Sequence, residues 1–163
     1  MIVIGVDPAF RKAGFAICII DEQSEVQGKM FKSFLDFIAW LTTPGEAPEF
    51  AIVGVENSNL QNVTFEMKGT KGMVAKISRN VGANQAASQY TVDVCRWHYG
   101  PNNVIEISPK QKGKKWTQAI FKSIAKSEGH KLIGRFNQDQ RDAYQIALQA
   151  KRIFNNKTIK NEP

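Results

Sequence analysis

Ile2-Val3-Ile4-Gly5-Val6-Asp7-Pro8 is a short apolar run, rich in β-branched residues, that ends in one carboxylate and a proline. A run with no polar alternation reads as a strand buried on both faces of a sheet. A carboxylate at the mouth of such a strand is costly to bury unless its charge is compensated. Two readings are open for Asp7: it caps an Asx-type turn into Pro8, or it holds a cation. The same design returns at Ala51-Ile52-Val53-Gly54-Val55-Glu56, a second β-type run closed by an acid. If the two strands are parallel neighbours, both carboxylates leave the sheet at one edge. Open α/β sheets place their sites at that edge.

The rest of the chain supplies partners for these strands. Ala13–Ile20 predicts a second strand, joined to the first by a short polar link. Glu25–Lys32 is a weaker third strand. Phe34, Phe37, Ile38 and Leu41 fall at helical spacing and stop before Pro44-Gly45. Beyond Glu56, residues 57–72 read as a polar loop and Val74–His98 as a long helix with Gly82 as a point of kinking. Val104–Ile107 is a short strand. A further helix carries Trp116, Ile120 and Ile124, with Leu132 as a candidate last apolar position and a terminus near Gly129. Gln138–Phe154 is the final helix, with Ala143, Ile146, Ala147, Ala150 and Phe154 on one side. A meander followed by strand-helix alternation predicts a mixed sheet with helices packed on it. The expected organisation is a single domain over residues 1–155 and a frayed tail over 156–163.

Net charge is +7, unevenly spread. Residues 1–56 hold eight acids and four bases, net −4; the remainder holds seven acids and eighteen bases, net +11. Between Ser108 and Arg135, eight bases stand against Glu128 alone. A basic lobe beside a group of acids suits a phosphate-backbone binder with a cation site. A merely solubilising basic surface is the other reading. Lys68, Lys71, Lys76, Arg79, Lys110, Lys112, Lys114 and Lys115 are the candidates for a DNA path, positioning phosphates and not reading bases. No apolar run reaches the length of a membrane span and the N-terminus carries no signal pattern, so a cytoplasmic location is expected. Cys18 and Cys95 read as reduced, buried thiols. His98 and His130 are too scattered for a zinc site. There is no Gly-Lys-Ser/Thr phosphate loop, so no nucleotide cofactor is expected.

Asp139 and Asp142 stand at i, i+3 in the first turn of the last helix and share a face. Either they answer the positive end of that helix, or they join Asp7 and Glu56. Four convergent acids would repel one another and raise their pKa values unless cations filled the gap. Hard oxygen donors without a Cys or His cluster suit Mg²⁺, with Mn²⁺ as the alternative. Two such ions about 3.5–4 Å apart clamp the attacking and leaving oxygens of an in-line phosphodiester displacement. The expectation is two Mg²⁺ ions held by Asp7, Glu56, Asp139 and Asp142, with Asp7 the most central, and metal-dependent hydrolysis of a polyanion.

The motifs together resemble the RuvC family of Holliday-junction resolvases. Ile4-Gly5-Val6-Asp7-Pro8 through Gly14-Phe15-Ala16-Ile17 is similar to that family's opening, and Val53-Gly54-Val55-Glu56 to its second acidic strand. Gly82-Ala83-Asn84-Gln85-Ala86 resembles its glycine- and alanine-rich helix, and Asp139-Gln140-Arg141-Asp142-Ala143, followed by Ile146-Ala147-Leu148, its closing helix. The resemblance spans residues 2 to about 150. It implies an RNase H-like α/β fold: a five-stranded mixed sheet flanked by helices. It also implies a homodimer with one site per copy, cutting two opposed strands of a four-way DNA junction to leave 5′-phosphate and 3′-hydroxyl ends, and an aromatic near the junction centre, for which Phe65 and Leu60 are the candidates, packing on its own domain being the other reading of Phe65. The chain departs from the family after Asp7-Pro8, with Ala9-Phe10 and Ala13-Gly14 where Gly-Ser and Thr-Gly are usual, and in the lysine-rich Pro109–Lys115. Two other readings stand beside this one: an RNase H-fold nuclease of RNA–DNA hybrids or structured RNA, and a DNA-binding module of the same fold without catalysis.

Overall fold

A computed structural model describes residues 1–8, 15–60 and 70–160. Phe65, Lys68 and residues 9–14 lie outside these. Six strands form one sheet: β1 (Val3–Asp7), β2 (Phe15–Ile20), β3 (Glu25–Phe31), β4 (Ile52–Glu56), β5 (Val104–Ile107) and β6 (Lys131–Ile133). Their spatial order is β5-β4-β1-β2-β3-β6. β2 runs antiparallel to β1 and β3, and the β1–β4, β4–β5 and β3–β6 pairs are parallel. The helices are α1 (Phe34–Thr42), α2 (Lys71–Tyr99), α3 (Pro109–Lys112), α4 (Gln118–Ser127) and α5 (Gln138–Lys160). A mixed sheet flanked by helices is the α/β architecture that the sequence pattern predicts.

The five-stranded expectation is corrected to six. β6 pairs Leu132 with Val26 at the sheet edge, so Leu132 belongs to a strand and not to the preceding helix, which ends at Ser127. Three residues show no period, and only Leu132 is even half-buried, which is why the pattern hid it. α5 also runs past Phe154 to Lys160 into the segment expected to fray. A helix already nucleated gains a hydrogen bond for each added residue, even where no apolar residue remains to bury. α2 begins at Lys71, capped by Thr70, and continues through Gly82.

Each sheet face has its own core. On one face Ile4, Val6, Phe15, Ile17, Val53 and Val55 pack against Phe37, Trp40 and Leu41 of α1 and Val92, Cys95 and Tyr99 of α2. On the other, Val3, Ala16, Cys18 and Ile20 meet α5 through Ala143, Tyr144, Ala147 and Leu148. Both cysteines are free and buried.

A transverse row of small residues seats α5. Gly28 pairs with Cys18, Cys18 with Gly5, and Gly5 with Gly54. A Cβ at Gly5 would collide with the carbonyl oxygen of Ala143 and lie 2.5 Å from the amide nitrogen of Ala147. At Gly54 it would lie 2.7 Å from Ala150 Cβ. Helix backbone therefore rests directly on strand backbone, a use of mid-strand glycine that needs no unusual φ.

Candidate active site

The same pleat that aims Gly5 and Gly54 at α5 aims Asp7 and Glu56, two residues further along, to the same side. Val6 pairs with Val55 in parallel register, so the two acids follow side by side at the strand ends. α5 starts over this edge. Asn137 and Gln140 form a reciprocal cap: Gln140 N donates to Asn137 Oδ1 and Asn137 N to Gln140 Oε1, each at 2.9 Å. The cap fixes the first turn, and with it Asp139 and Asp142. Asp7, Glu56, Asp139 and Asp142 line one cleft of about 380 Å³, together with Pro8, Ser58, Asn84, Ser88, Lys112 and Lys115. The two halves of the acidic pattern thus line the same cleft.

Asp142 is 1% exposed and held from both sides. Gln138 Nε2 donates to its Oδ1 at 2.6 Å. Gln138 is itself set by Arg141, whose Nη2 donates to Gln138 Oε1 at 2.7 Å while its Nη1 reaches the Phe136 carbonyl at 2.9 Å. On the cleft side, Lys112 Nζ and Lys115 Nζ stand 3.5 and 3.6 Å from Asp142 Oδ2. Lys112 also forms an ion pair with Glu56. Burial acts to lower the Lys112 pKa, but Asp7, Glu56 and Asp142 outweigh it and the net shift is upward, keeping the ammonium charged. Glu56 Oε2, buried against it, has no aligned hydrogen-bond donor.

The Asp7 pKa is pushed up to about 7. Burial is the main cause; Lys112 pulls it down, and Glu56, Asp142 and Asp139 push it further up. An unfolded aspartate titrates at about 3.9, so the folded chain binds the Asp7 proton more tightly than the unfolded chain does. The stability this contributes is present below about pH 4 and lost as pH rises through about 7. Buried His130, with its pKa lowered chiefly by burial, acts in the opposite sense. The expected outcome for metal-free protein is therefore a difference between wild type and Asp7→Asn. From pH 4 to 8, thermal midpoints of the wild type should fall relative to those of the variant; parallel curves would contradict the charge arrangement.

The donor set, four carboxylates and no sulfur, fits a hard divalent ion in chemistry. Among the described residues, no three His, Cys, Asp or Glu side chains stand close enough to share an ion. The cation between the carboxylates in this conformation is the Lys112 ammonium.

The basic candidates divide. Lys112 turns inward and its side chain is 9% exposed, whereas Lys71, Lys76, Arg79, Lys110, Lys114 and Lys115 are exposed. None of residues 71–87 is buried, so the first half of α2 stands off the core with three of these bases on it. Leu60, half-exposed, ends a short 3₁₀ turn after Glu56. That turn is fixed by Asn57, whose side chain donates to Glu106 and accepts from Asn59, and by the Ser58–Ser88 hydroxyl contact of 3.1 Å. The sequence pattern assigned Lys112 to the DNA path and not to the acids it meets, and it missed Ser58, Asn84, Ser88, Gln138 and Gln145. The Asn137-x-x-Gln140 cap and the two mid-strand glycines were signals that could have placed α5 over the acids.

An α/β sheet with a four-acid cleft at its edge, bordered by lysines, is the class defined by fold and site. No family model matches the chain, and no curated protein matches it significantly in sequence. Among solved structures it is similar to RuvC of Thermus thermophilus in complex with a Holliday junction substrate, at 16% identity and a TM-score of 0.46, covering 97% of this chain and 96% of that one. It is also similar to a second Thermus thermophilus RuvC structure, at 16% identity, a TM-score of 0.43 and the same coverage. Among the described residues, no helix is long and apolar enough to cross a membrane.

Proposed function

We propose that the protein is a metal-dependent, structure-selective endonuclease that cuts four-way or otherwise branched DNA in paired fashion, leaving 5′-phosphate and 3′-hydroxyl ends. The observation that supports this most is the meeting of Asp7, Glu56, Asp139 and Asp142, from three distant segments, in one cleft flanked by lysines. The branched substrate, the homodimer and the end chemistry follow the motif resemblance.

Asp7, Glu56, Asp139 and Asp142 would hold two Mg²⁺ ions, or Mn²⁺. Such ions, when bound, lower the pKa of water and offset charge on the leaving oxygen. The chain's own contribution is placement. The strand ends fix Asp7 and Glu56, the cap at Asn137 fixes Asp139 and Asp142, and Gln138 holds the Asp142 carboxylate in one orientation. Lys115, exposed at the cleft, would meet a phosphate. Lys71, Lys76, Arg79, Lys110 and Lys114 would guide the backbone, each as a point charge. Exchanging several of them for glutamine is expected to weaken binding of every DNA sequence alike and to flatten its salt dependence, read from binding curves at several ionic strengths.

The deciding experiment is a cleavage panel. A synthetic four-way junction, the matching linear duplex, an RNA–DNA hybrid and single-stranded RNA are each incubated with protein, with and without Mg²⁺. Symmetric nicking of the junction, dependent on Mg²⁺, is the expected result. Preferential cutting of the hybrid or RNA would move the substrate assignment. Tight junction binding with no cutting under Mg²⁺ or Mn²⁺ would make the protein a binding module. Light scattering of the free protein tests the dimer.

A further inference from the structure

The gap between the carboxylates is held by a side chain on a short tether. Lys112 is the last residue of α3, a single turn begun by Pro109 and closed by a capping box between Ser108 and Gln111. Gly113 follows at φ +86°, a conformation other residues adopt only with strain. Gln145, 1% exposed and one turn beyond Asp142 on α5, clamps the far side. Its Nε2 donates to the Lys114 carbonyl at 3.0 Å and to the Lys112 carbonyl at 3.4 Å. The backbone around Lys112 is thus tied to the helix that carries Asp142, and the ammonium reaches Glu56 and Asp142 at once.

Without a cation these acids would stand as uncompensated charges in a poorly solvated cleft. An ammonium supplies one positive charge without the ligand geometry a metal demands. A divalent ion on the same oxygens and the ammonium would repel one another at short range. We infer that Lys112 is a tethered counter-cation that holds the carboxylates in place before metal arrives and is displaced when divalent ions bind. Ion entry and the departure of Lys112 from Glu56 and Asp142 are then one event. Lys112 leaves toward a segment that already carries exposed Lys110, Lys114 and Lys115, so loading the site adds a cation to the basic surface beside it. This rests on the metal reading above.

The test is calorimetric titration of Mg²⁺, and of Ca²⁺ as a second hard ion, into wild-type protein and Lys112→Met, which keeps most of the apolar stem and removes the charge. The variant is expected to bind the ions at least about tenfold tighter, because no ammonium competes. Equal or weaker binding by the variant overturns the inference and leaves the metal site standing. Absence of ion binding in both proteins overturns the inference and the metal reading together. A readout on the wild type alone covers a variant that does not fold. Acetylation of Lys112 by acetic anhydride, which releases acetate, followed by peptide mass spectrometry with exposed Lys122 as reference, is expected to quicken at least about fivefold when Mg²⁺ is added. An unchanged ratio at an ion concentration shown to saturate binding overturns the displacement.

Discussion

Asp7→Asn should lower junction cleavage by at least about a thousandfold while leaving junction affinity within about twofold. Asp7 shares the cleft with the other acids, and each of them acts on its charge. An asparagine retains the shape but offers a neutral amide where the proposed metal site calls for a charged ligand. Under the proposed function the phosphates are met instead by exposed lysines such as Lys71, Lys76 and Lys110, so binding should survive. The fold survives as well, because a buried carboxylate whose pKa is pushed up to about 7 gains little from its charge in metal-free protein. Single-turnover cleavage and gel-shift affinity, measured on one preparation, separate the two effects. Cleavage near the wild-type rate would mean that the chemistry is centred on other residues.

Among the described glycines, Gly5 is where an added methyl group would meet its neighbours most closely, so Gly5→Ala should be severely damaging. The added carbon meets the carbonyl oxygen of Ala143 and the amide nitrogen of Ala147, both helix backbone, which cannot rotate away as a side chain can. Either α5 lifts from the sheet or β1 bends. We expect a loss of about 3 kcal/mol or more in a denaturant titration, above the usual cost of overpacking because no flexible group yields. Surviving folded protein should also cleave poorly, since the shifted helix carries Asp139 and Asp142 away from Asp7. Gly28→Ala serves as the comparison. There the new carbon meets the Gln140 amide and the edge of Phe136, side chains that can adjust, and the loss should be smaller. A Gly5→Ala protein within about 1 kcal/mol of wild type would contradict the seating of α5 on the strand glycines.

These expectations draw on different levels of the chain. The acidic ends of β1 and β4, the helical stripe of α5 and the asymmetry of charge are local patterns, legible because burial imposes period on a run of residues. They were enough to group Asp7, Glu56, Asp139 and Asp142 as one candidate set. β6 was not legible, since a three-residue edge strand takes its pairing from β3 and not from any pattern of its own. The direction of each lysine was equally hidden. Lys110, Lys112, Lys114 and Lys115 are alike as text, yet the capped turn of α3 and the Gln145 clamp bury one of them among the carboxylates and leave the others in solvent. Composition and periodicity are properties of neighbours along the chain, so they could specify strands, helices and the acids they carry. Whether an ammonium stands beside those acids depends on contacts between α3, β4 and α5, more than thirty residues apart in each case but one, and such contacts exist only once the sheet has assembled and the helix has settled on its glycines.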